Sequence, residues 1–104
     1  MASSNTACAC CQHKETPRSA EFQKDLQTRL NRAIGQLNGV KSMLDDNRYC
    51  GDVLTQLSAV ESAIHSVSMI ILEDHLRTCV ADKIRMGDDQ VLEETMQLVK
   101  RFAK

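Results

Sequence analysis

The chain has 104 residues, with thirteen Lys and Arg against fourteen Asp and Glu, for a formal net charge of −1. That is one small domain, too short to bury a large core by itself, and a near-neutral charge confines any nucleic-acid binding to a local patch. Phe22, Tyr49 and Phe102 are the only aromatic residues, which leaves no stacking platform for single strands, and four Gly with one Pro are too few turn residues for a β-sandwich or barrel.

Residues 1–18 are small, polar and aperiodic and read as a flexible, Cys-rich N-terminal tail, with the folded domain spanning 19–104. Within the tail, Cys8-Ala9-Cys10-Cys11-Gln12-His13 concentrates soft ligands. Cys8 and Cys11 form a CxxC pair that, with His13, can bind Cu(I) or Zn(II) without any fold. Three readings stand open: an auxiliary metal-capture tail, a redox-sensitive thiol cluster, or a tail with no fixed structure. The cysteines number five, an odd count: these three plus Cys50 and Cys79. The N-terminus carries no secretory apolar segment and no run is long enough to span a membrane. A reducing, cytoplasmic location is therefore expected, where thiols serve as ligands or reactive groups rather than staples.

From Ser19 the pattern turns helical. Phe22, Leu26, Leu30, Ala33, Leu37, Val40 and Leu44 step by three and four along one helix face. Thr16-Pro17 or Ser19 can start this helix, and Asp45-Asp46-Asn47 should end it. Gly35 and Gly39 lower its propensity by about 1 kcal/mol each relative to Ala, or else permit close approach of a neighbouring helix. A second helix is predicted from about Gly51 to Val80, with Val53, Leu57, Val60, Ile64, Val67 and Ile71 as a 4-3-4-3-4 seam. Ala59, Ala63, Met69, Ile70 and Leu72 make other faces apolar too, so another copy of the chain is expected to cover part of it. Residues 82–89 read as a loop, after which Asp88 or Asp89 can cap a third helix carrying Val91, Leu92, Met96, Leu98, Val99 and Phe102. The expected architecture is all-α: a three-helix protomer that is obligately oligomeric.

The ligand-type residues of the folded part are Cys50, His65, His75 and Cys79. His75 and Cys79 are i and i+4, neighbours on one helix face. Cys50 stands 25 residues before His75, roughly 37 Å away along a continuous helix. One chain cannot close such a site, but two antiparallel copies can, with Cys50 of one meeting His75 and Cys79 of the other. At 100° per residue the three lie within about 40° of one another around the helix. Two thiolates and an imidazole suit Cu(I), which is satisfied by three ligands. Zn(II) or Ni(II) would need a fourth donor. His65 lies well off the seam and is expected to be exposed.

Three segments resemble the copper-sensing repressors of the CsoR/RcnR family. They are Arg29-Leu30-Asn31-Arg32-Ala33-Ile34-Gly35-Gln36-Leu37-Asn38-Gly39, then Arg48-Tyr49-Cys50-Gly51-Asp52-Val53-Leu54-Thr55-Gln56, then Leu72-Glu73-Asp74-His75-Leu76-Arg77-Thr78-Cys79-Val80. The resemblance covers about residues 19–104. It implies an antiparallel four-helix-bundle dimer pairing into a tetramer, a metal-free form that binds operator DNA, and release when Cu(I) occupies Cys50, His75 and Cys79. Tyr49 and Glu94 match the ring of residues that the family places around those ligands, with Glu93 as the alternative to Glu94. Family members that sense nickel or cobalt add a His whose position falls near Arg18 here, a residue that cannot ligate.

Residues 20–48 hold five basic and four acidic side chains. Arg29 and Arg32 match positions that the family uses for DNA, with Lys41 and Arg48 on the same helix as further candidates. Ile34, Asn38 and Glu61 depart from the family's pattern. A tetramer would repeat this face four times and read DNA through phosphates and shape. The sequence therefore points to a Cu(I)-responsive repressor, with a sensor of nickel, persulfide or aldehyde, or a metal-buffering protein using the tail thiols, as alternatives. The favoured reading leaves the tail out of the transcriptional switch. No nucleophile–base–orienter set is found, so an enzyme is not expected.

Overall fold

The structure is a computed structural model that describes residues 17–103. Cys8, Cys10, Cys11 and His13, and with them the tail expected over residues 1–18, lie outside the described residues apart from Pro17 and Arg18. Among the described residues every regular element is helical: α1 (Ala20–Asp45), α2 (Cys50–His75), a π-helical segment (Leu76–Val80), α3 (Ala81–Arg85) and α4 (Gln90–Phe102).

Helix α1 starts where its capping chemistry starts. The Ser19 hydroxyl accepts the Phe22 N–H at 3.1 Å, satisfying one of the orphan donors of the first turn. It ends on Asp46, after which Asn47 turns left-handed at φ +52° and the Arg48 N–H closes back on the Met43 carbonyl at 3.0 Å. This short reversal forces α2 to run antiparallel to α1.

The two apolar series pack at a strict spacing of seven. Leu26, Ala33 and Val40 of α1 are buried, and so are Val53, Val60 and Val67 of α2. Running in opposite directions, they set Val40 level with Val53, Ala33 with Val60, and Leu26 with Val67. Each buried Val or Leu contributes about 1.5–3 kcal/mol of transfer free energy. The alternate positions of the same seams are not covered. Leu37 remains 42% exposed, Leu44 60% and Ile64 41%, and Leu57 is half-buried. The single seam expected for α2 thus resolves into two stripes, one used within the chain and one left open. Among the described residues, nothing beyond their own helix backbone and chain neighbours lies within 4 Å of a Cβ at Gly35 or Gly39, so these glycines serve no close helix approach there.

The region expected as a loop over residues 82–89 is shorter. Helical structure passes from α2 through the π segment into α3 and stops only at Arg85. An Asp82–Arg85 ion pair at 2.8 Å bridges one turn, and Gly87, at φ +81°, supplies the left-handed residue that ends the helix. The result is one rod over residues 50–85, roughly 50 Å long by helical rise, close to the molecule's longest dimension of 56 Å. Helix α4 then folds back, with the Asp88 carboxylate accepting the Gln90 N–H at 3.1 Å. Asp89, at the cap position itself, makes no side-chain cap bond. Val91 is the buried anchor of α4.

Candidate metal centre

His75 closes α2 and Cys79 lies inside the π segment. A π turn holds more residues than an α turn, so the four residues from His75 to Cys79 no longer overrun a full turn, and the two side chains stay on one side of the rod. The Thr78 hydroxyl donates to the Asp74 carbonyl at 2.8 Å, and its oxygen lies 3.7 Å from Cys79 Sγ. Thr55 and Thr95 make the same i−4 bond within regular helix, so this bond alone does not set the π register.

Both ligand-type residues face a cavity of about 410 Å³. Its polar lining comes from Arg18 ahead of α1, Ser68, Asp74 and His75 from α2, Cys79 from the π segment, Lys83 from α3 and Glu94 from α4. Leu72 and Val91, both buried, form part of the apolar wall. His75 and Cys79 are half-buried. A soft thiol and an imidazole in a partly apolar recess are a donor pair suited to a thiophilic metal, though two donors fall short of a closed shell.

The third expected donor is elsewhere. Cys50 opens α2 at the start of the rod and is exposed, and neither it nor Cys79 is in a disulfide. Among the described residues, no three His, Cys, Asp or Glu side chains come together to hold a metal ion. The candidate donors of a single chain thus stand tens of ångströms apart along the rod. Beside Cys50, Tyr49 sits at the cap position of α2, 75% exposed. Its ring occupies the space that a Cβ on Gly51 would need, so this glycine is what lets the ring fold over the first turn.

The two glutamates are separated by geometry. Both are exposed, but Glu94 lines the cavity with His75 and Cys79, whereas Glu93 is not part of that lining and accepts from Gln97 at 3.4 Å. Arg18, near which the resemblance places the extra His of the nickel and cobalt sensors, lines the cavity. Lys83 and Thr78 were not singled out from the sequence. Lys83 fell in the stretch read as a loop, and Thr78 has no pattern beyond its place next to Cys79. His65 is exposed and lines a separate groove with Leu57, Ile64 and Phe102.

Arg29, Arg32, Lys41 and Arg48 are all exposed. Arg29 pairs with Asp25 at 2.9 Å and Arg48 with Asp52 at 3.8 Å. Exposed pairs of this kind contribute about 0–1 kcal/mol and give way readily to a stronger anion.

Fold and site together define a helical protein with a soft-ligand pair at one end of a rod and a matching thiol at the other. Residues 22–101 match the family model of the metal-sensitive transcriptional repressors. The chain is 40% identical over 95 residues to the copper-sensing transcriptional repressor CsoR of Bacillus subtilis, covering 89% of this chain and 94% of that protein. Its structure resembles the Cu(I)-bound crystal structure of CsoR from Geobacillus thermodenitrificans, with a TM-score of 0.78 and 46% identity over 86% of this chain and 94% of that one. It also resembles the nickel-responsive transcriptional regulator InrS, with a TM-score of 0.68 and 35% identity over 86% of this chain and 99% of that one. The chain belongs to the metal-sensitive transcriptional repressor family. It is a metal-responsive regulator and not an enzyme.

Proposed function

We propose that the chain is a Cu(I)-responsive repressor that holds operator DNA when metal-free and releases it when Cu(I) is bound between two chains. The observation that carries this is the division of the donor set. His75 and Cys79 share one cavity with Glu94, Cys50 is exposed at the opposite end of the rod, and no metal group closes among the described residues of one chain. An antiparallel partner supplies the missing thiol twice per dimer: Cys50 of one chain stands beside His75 and Cys79 of the partner subunit. The open stripe of Leu37, Leu44, Leu54 and Ile64, each more than 40% exposed, is the surface that such a dimer covers, and dimers pair to a tetramer. Cu(I), when bound, supplies an attraction between chains that the thiols and imidazole alone lack.

The protein's own residues carry the response. Tyr49 sits next to Cys50 in sequence and Glu94 belongs to α4, so movement of the ligands is felt at the start of α2 and along α4. Arg29, Arg32, Lys41 and Arg48 provide a phosphate-binding face that repeats across the assembly in the cytoplasm. No helix among the described residues is long and apolar enough to cross a membrane.

The test is a titration of duplex DNA, selected by the metal-free protein, with and without one Cu(I) per chain. Expected is a salt-dependent affinity that falls by about 5–150-fold on metal loading, the usual range of such coupling. Unchanged affinity with the site filled overturns the reading. A nickel-responsive reading draws on the likeness to InrS. Against it, Arg18 lines the cavity at the position where the family's nickel and cobalt sensors add a His, and a guanidinium supplies no fourth donor.

A further inference from the structure

Between Asp52 and Glu73, helix α2 carries two titratable side chains, Glu61 and His65, and the Cu(I) reading uses neither. They are i and i+4, neighbours on one helix face. Both are exposed and both line the apolar groove of Leu54, Leu57 and Ile64. Among the described residues, neither is in an ion pair. Ser68 lines this groove and the His75/Cys79 cavity alike, so the two adjoin along α2. At 100° per residue, Glu61 lies within about 40° of Cys50 and of His75 around the helix, and His65 within about 80°. The antiparallel pairing read above puts the two-fold axis of the dimer midway between Cys50 and the His75/Cys79 pair. That point falls between Ala63 and Ile64, and Glu61 and His65 flank it. By helical rise, Glu61 of one chain is then level with His65 of the partner subunit to about 1.5 Å, and the two His65 are offset by about 4.5 Å along the helices. The two-fold turns both pairs to the same side of the interface. Facing helices pack about 8–10 Å apart, a gap that Glu and His side chains span. Two carboxylates brought together in an apolar interface repel each other and lose their water, so that point of the dimer calls for a cation.

We propose that Glu61 and His65 of the two chains together form a second metal site on the two-fold axis, which takes one divalent cation of the Zn(II) kind per dimer. Two imidazoles and two carboxylates are a complete tetrahedral set for Zn(II), and the two negative charges neutralise the ion. With no sulfur among its donors, the site discriminates against Cu(I). The two kinds of site divide by softness: thiolates at the ends of α2 for the monovalent ion, carboxylates at its middle for the divalent one. A cation on the axis binds the paired chains and not the separated ones, so it stabilises the dimer in proportion to its occupancy. The proposal rests on the reading that Cys50 of one chain meets His75 and Cys79 of the partner subunit, because that pairing sets the register.

The experiment uses the full-length protein, kept reduced and without oxygen, and first saturated with Cu(I) so that the thiols are occupied. Zn(II) is then titrated into the parent, His65→Ala and Glu61→Ala, and bound Zn(II) per chain is read with a chromogenic indicator. Expected is half an equivalent of Zn(II) per parent chain that both variants lose, its affinity falling by more than the 10–100-fold that removal of an outer partner costs. Both substitutions are at exposed positions, and Cu(I) uptake equal to the parent's shows that the variants are folded. Equal Zn(II) binding by all three proteins, or a loss of one whole equivalent per chain, overturns the proposal. Failure of the underlying reading looks different: Cys50→Ala then takes up as much Cu(I) as the parent. If the axial site alone fails, Cys50→Ala is deficient in Cu(I) while the parent lacks the half equivalent of Zn(II).

Discussion

The two ends of the rod formed by α2, the π segment and α3 are built in opposite ways. At the far end His75 and Cys79 are half-buried in a cavity, walled by three other parts of the fold and flanked by charged groups of both signs. At the near end Cys50 is exposed, between Tyr49 and Gly51 in the chain and close in sequence to the Arg48–Asp52 pair. One end is a prepared socket and the other a bare plug. A chain that carried a complete socket at one end would bind metal as a monomer. On the proposed reading, splitting the donors would tie metal binding to assembly, because rigid helix keeps Cys50 tens of ångströms from His75 and Cys79 of the same chain.

The largest effect should come from mixing chains that each lack one side of this pair. Cys50→Ala and Cys79→Ala homomers should each lose Cu(I) affinity by more than the 10–100-fold that removal of an outer partner costs. Co-refolded together, they should recover one tight site per mixed dimer, read by chelator competition. No recovery would mean that the donors of one site come from a single chain. Next in size is Ile64→Asp on the open stripe. An uncompensated buried charge costs about 3–5 kcal/mol, so sedimentation should show loss of the dimer, with metal binding lost although all three ligands are intact. An intact, metal-binding dimer would place the interface elsewhere.

Smaller effects separate the surroundings of the two ends. Glu94→Gln should weaken Cu(I)-driven DNA release by about 10–100-fold, measured as the shift in DNA affinity on loading, while Glu93→Gln, outside the cavity lining, should leave it unchanged. Equal effects would remove Glu94 from the site. Smallest is Gly51→Ala. The new Cβ displaces the Tyr49 ring, yet Ala is the better helix former by up to about 1 kcal/mol. Thermal stability should hold or rise while DNA release weakens by a few-fold. Loss of both together would mean that the ring only packs and does not report.

Much of this was legible in the residues, for physical reasons that differ by region. The hairpin of α1 and α2 could be read because a seven-residue repeat leaves a periodic trace, and the Ser19 cap because its chemistry is local. The split donor set followed from helical rise alone. The exact covered stripe did not, since a seam of Val53, Leu57, Val60, Ile64, Val67 and Ile71 looks uniform whichever half packs inside the chain. Residues 82–85 were missed because Asp82 and Gly87 suggest a turn, whereas Asp82 pairs along the helix and Gly87 ends it. The choice between Glu93 and Glu94 needed the helix phase of α4, which one residue of loop length changes by 100°. The π register carries no mark in composition, and neither does the arrival of Lys83 at the cavity.

The π segment has a mechanical meaning of its own. It is a screw thread with one residue too many, placed where the metal-ligand candidate His75 directly precedes it and Cys79 lies within it. Relaxing its bonds to the ordinary α pitch would turn everything downstream by about 100° and advance it about 1.5 Å. That would carry the whole of α4, Glu94 included, around the axis without uncoiling any helix. A slip of one hydrogen-bond register beside His75 and Cys79 would thereby displace an entire helix at the other side of the cavity.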